Sequence, residues 1–251
     1  MFRMNLFAPE NIPEITSGDN LGRIFIDCLK REQFSLTDGD IVVVAHKIVS
    51  KAENRCIFLN DVIPSDRAKE LGKITGKDAR LIELMLHESK EVLKVRQGLI
   101  ITRHRLGFVC ANAAIDQSNA DGKDCVILLP EDPDKSARDI RKSIKQESGK
   151  TVAVIINDSH GRPFREGAIG IAVGIAGINP MLSYIGKKDR YGYVMRSSVE
   201  AIADEMASAA TLLMGQGSES RPMVIIRGIP YEAGDEGKKS LIRPPKLDLF
   251  N

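Results

Sequence analysis

The sequence predicts a mixed α/β chain, either α/β or α+β. Three observations carry this prediction. Short β-branched runs alternate with segments whose apolar residues recur at helical spacing. Several of those runs are apolar at every position, which is the pattern of central strands covered by helices on both faces. Hydrophobic residues make up 43% of the 251 residues, ample for a sizeable core in one large domain or two closely packed lobes.

Taken in order, a first helix is expected over Gly22–Glu32 and a first strand over Asp40–Ala45 (DIVVVA). Helices follow over Arg67–Gly72 and Ala79–Lys90, then strands over Gly98–Thr102, Leu106–Ala111 and Asp124–Leu129. Asp134–Ser148 reads as a helix with an Asp cap, an apolar face of Ala137, Ile140 and Ile144, and a stop at Gly149. Thr151–Ile156 is the next strand. Ile169–Ile178 (IGIAVGIAGI) is Gly-rich and lacks polar ligands, so close backbone packing is expected there rather than a phosphate cradle. Ser197–Met214 is the clearest helix: Ser197 to Glu200 reads as a capping box, and Val199, Ile202, Ala203, Met206, Ala209, Ala210 and Leu213 follow at helical spacing before Gly215. Met223–Arg227 is the last strand. The tail after Gly228 has few features of a core element and is expected to wrap the surface or a partner subunit.

Composition excludes several classes. There are 36 basic and 34 acidic residues, a net charge of +2, so no strong field draws the chain to nucleic acid or to a membrane surface. Trp is absent and aromatics are 5%, which argues against a base-stacking platform. The four cysteines, Cys28, Cys56, Cys110 and Cys125, form no CxxC pair, and Cys110 and Cys125 lie in apolar strands as packing residues. Arg3 and Asn5 break the N-terminal apolar stretch, so no signal peptide is read, and no apolar run reaches the roughly 18 residues of a membrane span. A reducing cytoplasm is the expected location.

The chemistry concentrates at strand ends. Asn157-Asp158-Ser159-His160-Gly161-Arg162-Pro163-Phe164-Arg165-Glu166-Gly167 is read as a loop that follows a buried strand. Asp158 and Ser159 offer hard oxygen ligands for a divalent metal. Arg162 and Arg165 offer bidentate recognition of phosphate or carboxylate. After Ala45, the segment His46-Lys47-Ile48-Val49-Ser50-Lys51 brings two lysines and fits a triphosphate, although no Walker A loop is present. Asn112 to Asn119 adds Asp116, a second metal-ligand candidate, with Ser118 and Asn119. The exit Leu213-Met214-Gly215-Gln216-Gly217-Ser218-Glu219 is a Gly-rich backbone that a nucleotide can approach closely. Read alone, the Asp158 and Asp116 segments are also explained by Asx turns, the 46–51 segment by a solvated amphipathic stretch and the 213–219 exit by an ordinary helix end. His46 and His160 sit in candidate loops, whereas His87 and His104 read as ordinary helix-face and turn residues.

In this order the segments resemble the coenzyme F420-0:γ-glutamyl ligase family. The resemblance is carried by IPEI (Ile12, Pro13, Glu14, Ile15) with Ser17-Gly18-Asp19, GDIVVVAHKIVSKAE (Gly39–Glu53), CANAAIDQSN (Cys110–Asn119), NDSHGRPFREGAIGIAVGIAGI (Asn157–Ile178), LLMGQG up to Gly217, and LIRPPKLDLF (Leu241–Phe250). It spans nearly the whole chain.

The resemblance implies an intertwined, two-lobed, non-Rossmann α/β ligase fold, a single domain over 1–251 and a homodimer. It implies GTP-dependent addition of L-glutamate to the lactyl carboxylate of F420-0, with later additions γ-linked, through an acyl phosphate. It further implies two divalent cations per subunit, manganese or magnesium, and a potassium ion that can assist. Carried over by position, Asp116 and Asp158 resemble ligands of one metal, and Ser159 and Gln216 of the other. Ile12 to Ile15, His46, Lys47, Lys51, Asn119 and Leu213 to Glu219 resemble GTP contacts. Asp158, Arg162 and Arg165 are the catalytic candidates, the arginines holding a phosphodiester or glutamyl carboxylates. His160 is the one candidate offered as base for the glutamate amine. Two departures stand out: Gln216 occupies a position often acidic in the family, and Ala114 one that is more usually Gly. A related ligase for another carboxylate, or a GTP-binding regulatory protein, are the competing expectations.

Overall fold

The computed structural model describes residues 3–120, 122 and 124–247. The first half of the chain runs β1 (Asn5–Phe7), α1 (Leu21–Arg31), β2 (Ile41–Ala45), α2 (His46–Ala52), β3 (Cys56–Phe58), α3 (Asp66–Thr75) and α4 (Ala79–His87). Next come β4 (Ser89–Arg96), β5 (Leu99–His104), β6 (Val109–Ala111), β7 (Cys125–Ile127) and α5 (Pro133–Ser148). The chain continues through β8 (Ala153–Arg162), β9 (Arg165–Ala176), β10 (Leu182–Ser183), β11 (Val199–Glu200), α6 (Ile202–Met214) and β12 (Met223–Arg227). The fold is therefore mixed α/β, as the alternation of patterns predicts.

The main sheet has the strand order β1-β12-β2-β8-β9. Only β2 and β8 pair in parallel; their neighbours are antiparallel. One parallel pair is not a doubly wound nucleotide-binding sheet, and the sheet does not close into a barrel. Side chains alternate between its two faces. Val42, Val44, Val154, Ile156, Met223 and Ile225 join a core under α1 and α5 with Phe25, Ile140 and Ile144. Ile41, Val43, Ala153, Ile155, Val224 and Ile226 join a core under α6 with Met206, Ala207 and Ala210. Both faces are covered, which is why these strands carry no polar alternation.

A third core lies among α4, β5 and β7, around Ile82, Met85, Ile100 and Val126. At its margin Glu88 is nearly buried and accepts from Arg55 Nη2 at 2.7 Å and from Arg105 Nε at 2.8 Å. Burial alone would raise its pKa, but His104 Nε2 at 3.6 Å and the two arginines outweigh burial and hold the carboxyl at about 2. A folded pKa below the unfolded one stabilises the fold above the unfolded value. That stability is lost as pH falls from the ordinary 4.5 towards 2. The depression corresponds to about 3 kcal/mol. Glu88→Gln is expected to lower the thermal midpoint at pH 7 and to flatten its fall between pH 4.5 and 2; an unchanged acid limb would contradict the assignment.

Several expected boundaries move. The Asn157–Gly167 segment is not a loop after a strand. β8 continues through it to Arg162 because β9 pairs with it from Arg165 to Ala176, across bulges at Ile156/Asn157 and Gly161/Arg162. The Gly-rich Ile169–Ile178 stretch lies mostly in β9. It does pack closely, since a Cβ on Gly170 or Gly174 would lie within 2.6 Å of three atoms each. Ser197 to Glu200 is not a capping box: Val199 and Glu200 pair with β10, and α6 begins only after Ala201. Leu106–Ala111 shortens to Val109–Ala111 because a tight turn joins Gly107 N to the His104 carbonyl. Ala79–Lys90 ends as a helix at His87 and passes into β4. The segment after Ala45 is helix α2, not a loop. His104 is a fully buried strand residue rather than a turn residue. Along the tail, Tyr231 and Leu241 pack on the core under α6 and Lys238 pairs with Asp134 at 3.1 Å, so this part wraps its own chain. The end of the Leu241–Phe250 motif lies outside the described residues. Cys110 and Cys125 are buried, as expected.

Candidate active site

The C-terminal ends of the parallel pair β2 and β8 meet at a cavity of about 490 Å3. A cavity of that size falls within the range of small-molecule sites. The strand β2 runs straight into α2, so His46, Lys47 and Lys51 line this cavity. Lys47 and Lys51 are four residues apart and share a helix face. Asp158 and Ser159 come from the paired part of β8. Asp116 comes from a short bridge to Ile127. Before it, Asn112, Ala113 and Ala114 all have positive φ, between 51° and 52°. Each such residue costs on the order of 1 kcal/mol. The left-handed turn carries the chain round so that Asp116 faces His46.

His46 sits between the two carboxylates. Its Nε2 lies 2.9 Å from Asp116 Oδ2 and 3.2 Å from Asp158 Oδ1. His160 Nε2 donates to Asp158 Oδ2 at 2.7 Å, and the Ser159 amide donates to Oδ1 at 2.7 Å. Burial by itself lowers the His46 pKa, but the charge of Asp158 and the bonds to both carboxylates raise it to about 9. Asp158 is opposed in the same way: burial raises its pKa, and His46 and His160 hold it well below the carboxylate range. The two carboxylates thus draw a positive charge into a site where Asp158 is only 6% exposed. His46, Asp116 and Asp158 present ligand atoms within 4.8 Å of one another. Two hard carboxylates and an imidazole form a donor set that could hold a divalent cation. His46 Nδ1 and Asn157 Oδ1 are buried without a partner, the condition in which a bound ligand adds hydrogen bonds.

Around this cluster the other segments converge. Lys47 Nζ donates to Ser118 Oγ at 2.7 Å and lies 3.4 Å from Asp116. Lys51 pairs with Glu14. Gln216 Nε2 donates to Ser159 Oγ at 2.9 Å, and Asn119 Nδ2 donates to the Gly217 carbonyl at 3.4 Å. Ile12 to Ile15 and Met214 to Ser218 line the same cavity. Two expected contacts lie elsewhere: Leu213 packs on the core under α6, and Glu219 accepts from the Gly217 amide at 2.8 Å, shaping the loop from outside. Nor do Arg162 and Arg165 line the cavity. They stand at the outer end of the β8–β9 hairpin, where Arg162 donates to the Gly167 carbonyl at 3.2 Å. His160 is also absent from the lining. His46, expected as a nucleotide contact, stands within the acidic cluster. Asn157, the first residue of the Asp158 segment, lines the cavity, and so does Arg221. Arg221, two residues before β12, had no motif to mark it.

The sequence matches the family described as F420-0:Gamma-glutamyl ligase over residues 10–228. The chain belongs to this family. It is similar to the coenzyme F420:L-glutamate ligase of Methanothermobacter thermautotrophicus, 45% identical over 249 residues and covering 98% of each chain. The protein of the same name from Methanocaldococcus jannaschii is 45% identical over 218 residues, 87% of each chain. That from Methanopyrus kandleri is 42% identical over 241 residues, 94% of this chain and 93% of its own. As a member of the family, the chain is a ligase. No helix among the described residues is long and apolar enough to cross a membrane.

Proposed function

We propose that the chain joins L-glutamate to the lactyl carboxylate of F420-0 at the expense of GTP, adding further glutamates through γ-linkages. The observation that carries this reading is the meeting of Asp116, Asp158 and His46 with Lys47 and Lys51 in one cavity. In this reading the substrate carboxylate oxygen attacks the γ-phosphorus and GDP leaves. The glutamate amine then attacks the acyl carbon, loses a proton and expels phosphate. Divalent cations at such a site neutralise phosphoryl oxygens and orient in-line transfer.

The chain's own residues do the rest. Asp116 and Asp158 would hold one cation, joined by His46 once the cation displaces its proton, and Ser159 and Gln216 would hold the other. An amide at 216 binds a cation more weakly than a carboxylate would. Lys47 and Lys51 bring charge to the triphosphate. Asn119, the 12–15 segment and the 214–218 backbone surround the nucleotide. A nucleotide filling the cavity leaves the acceptor to extend past its rim, where Arg162 and Arg165 take the phosphodiester or glutamyl carboxylates by their fork geometry. The same reading includes manganese or magnesium as the cations, assistance by potassium, and a cytoplasmic homodimer of one-domain chains.

Calorimetric titration of GTP in the presence of Mn2+ tests the nucleotide assignment. Lys51→Ala is expected to weaken GTP about tenfold, a loss near 1.4 kcal/mol. Unchanged affinity would mean that Lys51 serves only to pair with Glu14.

A further inference from the structure

His160 lies two residues from Asp158 on β8, and i, i+2 residues of a strand share a face. Its side chain is 10% exposed and does not line the cavity. A proton acceptor for an amine in that cavity would have to reach it, and His160 Nε2 is instead committed to Asp158 Oδ2 at 2.7 Å. The ring is itself held from behind. Phe108 packs against it at a centroid distance of 5.3 Å and an interplanar angle of 59°. His104 stacks on the other side of this contact, 5.1 Å from Phe108 and within 5° of parallel. His104 is fully buried, and its Nδ1 accepts from the Leu106 amide at 3.1 Å, which places its ring proton on Nε2 towards Glu88. The small β4-β5-β6 sheet is thereby fastened to the strand that carries Asp158.

We infer that His160 is a positioning residue of the ligase centre: its Nε2–H locks the Asp158 carboxylate so that the other oxygen faces His46 and Asp116. The inference rests on the cation reading proposed above. A carboxylate can rotate about its terminal torsion, and such torsions are broad. The bond to Oδ2, with the Ser159 amide on Oδ1, removes that freedom before any cation arrives. Hydrogen bonds behind metal ligands act in this way, and their loss costs roughly 10–100-fold in affinity. His160 therefore acts through Asp158 and not on the substrate.

The test is Mn2+ binding by the full chain, read from the electron paramagnetic resonance signal of the free ion, with no nucleotide or acceptor present. His160→Leu is expected to weaken Mn2+ at least tenfold. His160→Gln, whose amide nitrogen reaches the position of Nε2, is expected to restore most of the affinity. His160→Asn, whose amide nitrogen corresponds to Nδ1, is not. The Gln/Asn pair carries the test if the Leu variant fails to fold. Wild-type affinity in the Leu variant, or equal affinities in the Gln and Asn variants, overturns the inference while leaving the cation reading intact. No Mn2+ binding by the unsubstituted chain overturns the cation reading, and this inference with it.

Discussion

Replacing Asp158 by Asn is expected to reduce glutamate ligation by on the order of 10^3-fold, since several kcal/mol of charge stabilisation would go with the cation. Asn has nearly the same shape as Asp. It keeps an oxygen for the Ser159 amide, so the β8–β9 ladder should persist, while loss of a buried, paired charge should lower the melting midpoint without unfolding the chain. What goes is charge. The charge of Asp158 is the strongest influence holding His46 up at about 9, so His46 in the variant should titrate lower, with Asp116 alone left to oppose burial. Activity and Mn2+ affinity should fall together. Near-normal turnover with unchanged Mn2+ dependence would show that Asp158 is not a ligand.

Gly174→Ala is expected to cost about 2–3 kcal/mol of stability, the range of core overpacking. A Cβ built there would lie 2.4 Å from the Pro133 carbonyl oxygen, 2.5 Å from its carbon and 2.6 Å from its Cβ. Those atoms belong to the first turn of α5, which cannot shift freely. The Asp134 side chain accepts from the Ile175 amide at 2.9 Å and also from the Lys238 amide at 3.1 Å. Gly174 is not among the glycines with positive φ, so the cost is steric rather than conformational. For a chain of this length it corresponds to roughly 5–10 °C in the thermal midpoint. Gly161→Ala is the control, because nothing lies within 4 Å of a Cβ at that position. Equal midpoints for the two variants would contradict the packing argument.

The same glycines explain what the sequence concealed. Met223–Arg227 is legible residue for residue, and β2 nearly so, because each is a β-branched run bounded by turn residues. α5 is legible from Ala137, Ile140 and Ile144, and all three are buried. β9 is not, because Gly170 and Gly174 stand where strand side chains would, at the contacts with α6 and α5, so its hydrophobic period is broken by packing demands. α2 hides behind the β-branched Ile48 and Val49, with tertiary contacts overriding propensity. The start of α6 is hidden because Ser197 to Glu200 mimics a cap while Val199 and Glu200 pair with β10.

The site divides similarly. Segments 46–51, 116–119, 158–159 and 214–218 are marked by polar residues after apolar runs and segment 12–15 only by the family resemblance, and the fold brings them to one cavity. Spacing could not show that Arg162 and Arg165 would be carried away from it, because that follows from β8 continuing past Ser159. Arg221 and the Phe108 wall behind His160 were invisible, since their roles depend on contacts across distant segments.

The central claim is tested most directly by mass spectrometry of F420-0 after incubation with the purified chain, GTP, Mn2+ and L-glutamate. Product heavier by one or more glutamyl units, with GDP released in step and neither change seen with Asp158→Asn, is the predicted result. Unmodified F420-0 with GTP bound but not cleaved would contradict it.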